Sequence, residues 1–433
     1  MVTRDRSVGI GLMGLGVIGS GVAKVLIEKS DALASGAGSR LILKKVLEQD
    51  LTRHGSMGID SGLFTTQFAE LVNHPEVDII LELIGGEHPA LEFIREALTS
   101  GKHIVTANKE VMAKHGSELL ALAEEHQVSL RYEASVGGGI PLIAPFQEDL
   151  VANDILAIYA IVNGTTNYIL TQMAKEGLDF SVALKQAQEL GYAEANPAND
   201  IEGLDATYKL AIMATIAFGI EVSPDDIYHE GISRLQARDF RYARELGYAI
   251  KLLAIAKQAG NSIEARVHPV FIPEDSLLAK VDGVYNAIHV EGDLVGKVIF
   301  YGEGAGPSAT SSAIVADIIN IAQGINRATR NVPHLPSGTG QTVKPMDEIE
   351  TRYYVRMAIA DQPGVLAQIS KVLGDHSISI ASVIQKETDP STQVAEIVIM
   401  THPAREQAVQ QALKEAGQLS VVKEITNFVR VED

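Results

Sequence analysis

Cysteine is absent from the 433 residues, which excludes a disulfide framework, a thiolate metal site and a cysteine nucleophile. Long hydrophobic runs are missing too: Leu210 to Ile220 falls well short of the roughly 20 residues that cross a bilayer. Positive charge is scarce, with 36 Lys and Arg against 55 Asp and Glu and a formal charge of −19. That balance argues against a surface for nucleic acid or anionic membrane, since both need clustered cations. Arg4 and Arg6 precede an apolar stretch as in a signal peptide, but glycines at 9, 11, 14, 16 and 19 spoil its core. What is present, 46% hydrophobic and 21% charged residues, fits a soluble cytoplasmic protein of two or three domains.

The first pattern is strand, glycine turn, helix. Val8 to Met13 reads as the strand, Gly14-Leu15-Gly16-Val17-Ile18-Gly19 as the turn and Ser20 to Lys29 as the helix. In such a turn Gly14 permits the tight bend, Gly16 lets backbone approach a pyrophosphate, and Gly19 lets the helix pack on the strand. The free N–H groups of the helix start then face phosphate. A second strand, Leu41 to Leu47, ends at Glu48-Gln49-Asp50. An acid there accepts hydrogen bonds from the adenosine ribose of NAD and repels the 2′-phosphate of NADP. Lys44, Lys45 and Arg53 keep NADP open, and solvated strand-end charges are the plain alternative. The apolar run Val77 to Ile84 reads as a central parallel strand, and a ligand over the strand ends passes Ile84 and Gly85. The strand His103 to Thr106 runs through Ala107-Asn108 into Lys109, which places that lysine at the crevice of such a sheet.

A different rhythm follows. Val128 to Tyr132 reads as a strand leading into Glu133-Ala134-Ser135-Val136-Gly137-Gly138-Gly139-Ile140-Pro141. Three glycines and one carboxylate suit a monovalent cation held by oxygens, or simply a tight crossover between domains. Asp154 to Val162 reads as a strand, and Asn163-Gly164-Thr165-Thr166-Asn167 as a polar cap before a helix from Tyr168 to Lys175. One such residue suffices for a cap, so five point to contact with cofactor or substrate. After a helix from Ser181 to Leu190 comes the loop 191–203, broken by Gly191, Pro197 and Gly203 and carrying Glu194, Asp200 and Glu202. A helix from Leu204 to Phe218 then puts Asp205 and Lys209 on one face. Surplus negative charge beside a single amine suits a ligand bearing an ammonium group. An exposed ion pair worth a few tenths of a kcal/mol is the plain alternative.

Helices are expected near 223–230 and 232–247, then strands 250–256, 265–272, 284–290 and 297–301 of a mixed sheet through which the chain could dimerise. The turn Gly302-Glu303-Gly304-Ala305-Gly306-Pro307 opens a helix to about Ala322. Residues 325–350, with Pro333, Pro336, Pro345 and Gly338-Thr339-Gly340, read as a linker. Beyond it strand 353–359, helix 363–374, strands 377–386 and 393–400, helix 404–416 and strand 420–429 follow the ferredoxin-like order.

Several of these stretches resemble homoserine dehydrogenases. Gly191 to Lys209 is similar to that family's substrate loop, with Asn196 where Asp is usual. Thr106-Ala107-Asn108-Lys109, Asn163 to Leu170, Glu133 to Pro141 with Gly137 in place of Ala, and the Gly302 to Gly306 turn extend the likeness over residues 8 to 322. Asp361-Gln362-Pro363-Gly364-Val365-Leu366 resembles the ligand loop of ACT domains, although a small α/β tail that only dimerises the chain is an alternative. No kinase-like segment of the fused family members is expected.

The resemblance implies an α/β chain. A Rossmann domain over 1–139, completed by a returning helix 303–324, precedes an α+β catalytic and dimerisation domain over 140–302. A linker 325–350 and a ferredoxin-like ACT domain 351–433 follow. It implies NAD(P)-dependent interconversion of L-homoserine and L-aspartate 4-semialdehyde. Lys209 is then the general acid/base held by Asp205, Lys109 polarises the carbonyl or shares the proton, and two such lysines in one crevice would depress each other. Glu194, Asp200, Tyr192 and Thr165 bind the amino-acid substrate, joined by Lys109. The cofactor, NAD or NADP, meets Gly14, Leu15, Gly16, Val17, Ile18, Gly19, Glu48, Ile84, Gly85, Lys109 and Gly304; Gln49 stands where many members carry Arg, which weakens the case for NADP. Glu133, Val136, Gly138 and Ile140 would hold sodium. Asp361, Gly364 and Val365 would hold an effector such as threonine, in a homodimer or homotetramer. A Rossmann dehydrogenase for another amino acid and a non-catalytic amino-acid sensor are the competing functions.

Overall fold

The computed structural model describes residues 7–50, 58–327, 341–389 and 393–432. Arg4, Arg6, Arg53 and linker residues 328–340 lie outside them. The chain divides into two compact units, one of residues 1–156, 208–224 and 286–341, the other of 157–207, 225–285 and 342–433.

The first unit is built on a parallel sheet. Its strands are β1 (Val8–Met13), β2 (Leu41–Leu47), β3 (Phe64–Thr65), β4 (Ile79–Glu82), β5 (His103–Thr106) and β6 (Leu130–Arg131), in the order β3-β2-β1-β4-β5-β6. Every residue of β1 and β4 is buried, as expected where helices cover both faces of a parallel sheet. The helix Pro307–Arg327 returns from far along the chain, and its Ile314, Ile318 and Ile321 share a core with Val8, Ile10, Val22 and Leu26. The strand order reverses at β1 and β4, so their carboxyl ends border the crevice where such sheets take ligands.

The second unit joins two motifs in one sheet. Strands β7 (Ile155–Ile161), β8 (Tyr228–His229), β9 (Tyr248–Ala259) and β10 (Ser262–Pro273) precede a hairpin of β11 (Tyr285–Gly292) and β12 (Gly296–Glu303), which belongs mostly to the first unit. The short β13 (Thr342–Val343) leads to β14 (Glu350–Ala360), β15 (Ile380–Asp389), β16 (Val394–Thr401), β17 (Ala404–Arg405) and β18 (Val422–Val431). With helices Val365–Asp375 and Glu406–Ala416, the tail has the expected ferredoxin-like order, its four long strands lying as β18-β14-β16-β15. It continues the preceding sheet: β18 pairs in parallel with β10 at Val270↔Arg430 and Phe271↔Val431.

Buried charge ties this seam. Arg356 donates to Asp239 (2.8 Å), Glu396 (2.9 Å) and Gln236 (2.9 Å), while Tyr354 and Asn427 also donate to Asp239. Arg430 donates to both oxygens of Glu406 (2.9 and 2.6 Å) and to Glu230 (2.9 Å). Each guanidinium has two carboxylate partners, which offsets the cost of burying it.

Two local expectations fail. No helix covers 223–230: a single turn, Pro224–Asp226, gives way to β8, whose Tyr228 and His229 pair with Arg266 and Val267. The helix expected from Tyr168 starts at Gly164, so only Asn163 is its cap and the next four residues form its first turns.

Candidate active site

The glycine turn has the shape its sequence demands. Gly14 has φ +89°, and a Cβ there would lie 2.9 Å from the Leu83 carbonyl oxygen; a Cβ on Gly19 would lie 2.0 Å from that of Gly14. A Cβ on Gly16 would meet nothing within 4 Å, so the open side lies where backbone must approach a pyrophosphate. Leu15 follows Gly14, and Val17 and Ile18 open the helix Val17–Glu28. Glu48, buried at the end of β2, accepts from the N–H of Leu15 (2.7 Å) and of Asp50 (3.0 Å). Its carboxylate therefore braces the turn. Lys44 and Lys45 pair with Glu76 and Glu70, and Gln49 donates to the Thr66 carbonyl.

At the end of β4 stands an acid that sequence reasoning missed. Glu82 is fully buried and accepts from Thr106 Oγ1 (2.6 Å) and from the N–H groups of Ile84 (2.9 Å) and Gly85 (3.2 Å). Burial pushes its pKa up, against those hydrogen bonds. The signal was a charged residue inside an otherwise apolar strand. Thr106 in turn receives the N–H of Asn108, whose amide donates to Gly86 O (2.7 Å) and whose carbonyl caps the helix Lys109–Glu125. Lys109 thus begins a helix whose start is locked to β4 and β5.

Lys209 lies on the helix Leu204–Phe218. Within the first unit its neighbour Tyr208 reaches Glu110, next to Lys109, at 3.5 Å, and Lys114 Nζ sits 5.7 Å from the Tyr208 ring. The two lysine-bearing segments, a hundred residues apart in the chain, therefore lie side by side.

In the second unit Asp200 and Asp205 meet at Asn163. Its amide nitrogen donates to Asp200 (2.7 Å) and Asp205 (2.8 Å), and its amide oxygen accepts from Thr166 N (2.8 Å). Asn163 and Asp205 are both buried. Thr165 donates to the Tyr192 carbonyl (2.7 Å), and the Tyr168 and Tyr192 rings are 5.0 Å apart. Glu194 is exposed, and its carbonyl accepts from Gln188. The sequence marked the motif around Asn163 but not the residue's bridging role, which depends on partners 37 and 42 positions away.

The Glu133 segment was expected to hold sodium. Glu133 is buried and its carboxylate caps the turn that follows, accepting from the N–H of Leu142, Ile143 and Ala144. A carboxylate offers about four lone-pair positions, so one on Oε2 remains. Gly137 and Gly138 have φ of +70° and +60°, a conformation that fans out successive carbonyls. Asn286, whose buried Oδ1 has no hydrogen-bond partner, packs against Gly304, which packs against Gly138. Oxygen donors of this kind are the chemistry a hard monovalent cation takes, and the Asn286 side chain gives Gly304 a packing reason to be glycine. Among the described residues no cluster of three or more His, Asp or Glu could hold a metal ion, and no helix is long and apolar enough to cross a membrane.

In the tail, Gly364 takes φ +87° to cap the helix Val365–Asp375, Val365 is buried and Asp361 is exposed, its N–H bonded to Gln393 O.

Three family models match the chain: homoserine dehydrogenase, NAD binding domain, over residues 14–133; homoserine dehydrogenase over 141–319; and the ACT domain over 353–420. A homoserine dehydrogenase of Neisseria gonorrhoeae is 44% identical over 99% of both chains, and one of Bacillus subtilis 36% identical over 99% of both. The crystal structure of a homoserine dehydrogenase from Thiobacillus denitrificans superposes with a TM-score of 0.92 at 42% identity, covering 99% of each chain. A hyperthermophilic archaeal homoserine dehydrogenase in complex with NADPH matches 76% of this chain and 100% of its own at 27% identity and a TM-score of 0.64. The chain belongs to the homoserine dehydrogenase family, NAD(P)-dependent oxidoreductases that interconvert L-homoserine and L-aspartate 4-semialdehyde.

Proposed function

We propose that Lys209 is the proton-transfer residue of this dehydrogenase. In homoserine oxidation its neutral amine takes the hydroxyl proton while Lys109 stabilises the negative charge growing on that oxygen. The nicotinamide cofactor, when bound at the glycine turn, supplies the acceptor for the C4 hydride. In the reverse direction protonated Lys209 returns the proton to the carbonyl oxygen. Glu194 and Asp200 bind the substrate ammonium, with Tyr192 and Thr165 completing that pocket, while Asp205 fixes Lys209 from one turn earlier on the same helix. The observation that carries this reading is the side-by-side placement of the Lys109 and Lys209 segments through Tyr208 and Glu110.

NAD is the preferred cofactor in this reading. Glu48 braces the turn from the position where an acid meets the adenosine ribose, and the nearby cations Lys44 and Lys45 are engaged by Glu76 and Glu70. Ile84 and Gly85 line the passage beyond it. Sodium would be held by Glu133 Oε2 with the carbonyls of Val136, Gly138 and Ile140, stiffening the crossover. An amino-acid effector such as threonine would sit at Asp361, Gly364 and Val365. The protein acts as a cytoplasmic homodimer or homotetramer, for which the exposed Leu294, Ile299 and Tyr301 on the β11–β12 hairpin supply apolar surface.

Steady-state homoserine oxidation with NAD and with NADP tests these assignments together. Wild type should show the higher kcat/KM with NAD, and Lys209→Ala should lose at least about 10³ in kcat with an unchanged melting curve, more than the 10²–10⁴ range of proton-transfer catalysis at its low end. A kcat near wild type in that variant removes the lysine from the mechanism.

A further inference from the structure

We infer that Glu82, which the chemistry above does not use, is a positioning residue for the reaction: through Thr106 and Asn108 its carboxylate fixes the start of the Lys109 helix against the Ile84–Gly86 turn. The consequence for turnover rests on the role proposed for Lys109.

An ionised carboxylate only accepts, and this sets the direction of every bond around Glu82. Its Oε1 takes the N–H groups of Ile84 (2.9 Å) and Gly85 (3.2 Å), drawing both amides inward. Gly85 and Gly86 then each adopt φ +72°, and a Cβ on Gly85 would meet nothing within 4 Å. The same turn leans on the nucleotide turn, since a Cβ on Gly14 would lie 2.9 Å from Ile84 Cγ2. On the other side Oε2 takes the Thr106 hydroxyl at 2.6 Å. That hydroxyl has one proton and gives it to Glu82, so its oxygen is left to accept the Asn108 N–H at 2.9 Å. Asn108 closes the circuit: its amide nitrogen donates to Gly86 O (2.7 Å), and its Oδ1 accepts from Val111 N (3.2 Å), capping the helix that Lys109 opens.

Glu82 and Thr106 are fully buried and Asn108 nearly so, so solvent does not replace a lost partner. Past its first turn the Lys109–Glu125 helix has separate ties, with Glu87 pairing to Lys114 (2.7 Å) and His115 (2.8 Å). Breaking the circuit therefore loosens the helix start, where Lys109 sits, and leaves the rest anchored. Glutamine at position 82 breaks it at one atom. Its Oε1 still takes the two amides, but its Nε2 turns a donor towards Thr106. The Thr106 oxygen then faces two N–H groups while its own proton has lost its acceptor.

The test compares full-length wild type with Glu82→Gln, Thr106→Val and Thr106→Ser. A misplaced group costs rate more than affinity, so Glu82→Gln and Thr106→Val should each lose at least about fivefold in kcat for homoserine oxidation. The reduced cofactor that wild type prefers, titrated by its own fluorescence, should keep a Kd within about threefold, because the Ile84–Gly86 turn is still held. In both variants the amides of a peptide covering 107–112 should exchange with deuterium at least about fivefold faster. Thr106→Ser keeps the hydroxyl and should recover most of the kcat and the protection that Thr106→Val loses. In a Lys109→Met background Thr106→Val should cost no further kcat. The inference is overturned if either loss is smaller, if the cofactor Kd rises beyond that range, if exchange at 107–112 is unchanged, if the serine variant is as poor as the valine one, or if Thr106→Val costs as much without Lys109 as with it. Wild-type kcat in Lys109→Met would instead remove Lys109 from the chemistry, a failure that the exchange rates of Glu82→Gln do not share.

Discussion

In the first unit the buried acids Glu82 and Glu133 accept from backbone amides and a hydroxyl, and Asp317 accepts from the Glu133 N–H (2.9 Å). In the second, Asp239, Glu396 and Glu406 accept from arginine guanidiniums. Burial pushes acids of both units up. At Glu82 and Asp317 it prevails: the Asp317 carboxyl is pushed up to about 7, with the Glu133 charge adding to burial and the Glu133 amide opposing it. In the second it is overcome: hydrogen bonds from Tyr242 and Arg356 hold Glu396 below its usual range, and those from Arg430 do the same for Glu406. An amide brings a dipole and an arginine a full charge, and it is the acids beside arginines, Glu396 and Glu406, that are held down while Glu82 and Asp317 are pushed up. The first unit uses its acids to brace the loops at its strand ends; the second uses them to weld the ferredoxin-like tail to the sheet that precedes it.

The largest expected effect falls on the weld. Arg356→Met leaves Asp239 and Glu396 without that guanidinium and should cost about 3–5 kcal/mol in urea unfolding at pH 7. A loss below about 1 kcal/mol would mean the seam is held by strand pairing alone.

Next comes Asp317. An unfolded aspartate releases its proton near 3.9, whereas the folded chain holds it until about pH 7. Between those values the folded state binds more protons, so this residue makes stability fall as pH rises, fully above 7 and not at all below 4. Asp317→Asn keeps an acceptor for the Glu133 amide. It should stabilise the protein on the order of 2–4 kcal/mol at pH 8, with the gain shrinking towards pH 5. Melting curves of wild type and variant that stay parallel over that range would contradict the raised pKa.

The smallest effect is kinetic. Asn163→Ser keeps a residue able to cap the Gly164 helix but removes the amide that joins Asp200 to Asp205. The homoserine KM should rise about tenfold, near 1.4 kcal/mol, with the NAD KM and the melting temperature little changed. A matching rise in both KM values would make the defect general rather than local to the substrate loop.

How much was legible depended on whether a signal was local. The glycine turn could be read because Gly14, Gly16 and Gly19 state backbone requirements directly, and the ferredoxin-like order because strand and helix periods alternate cleanly. The segment 223–230 could not: Pro224-Asp225-Asp226 looks like a helix start, but β10, some forty residues later, captures Tyr228 and His229 as a strand. Glu82 and Asn163 were in view as letters, yet their roles are set by residues far along the chain.

By itself the sequence determined most of the element types and the nucleotide turn, since each rests on residue chemistry and spacing within about twenty positions. Tertiary structure alone decided that Tyr208 meets Glu110, that β18 extends the sheet of β10, and which buried acids lie beside arginines. These depend on packing between distant segments, where burial and the nearest charge, rather than residue type, fix what an ionisable group does.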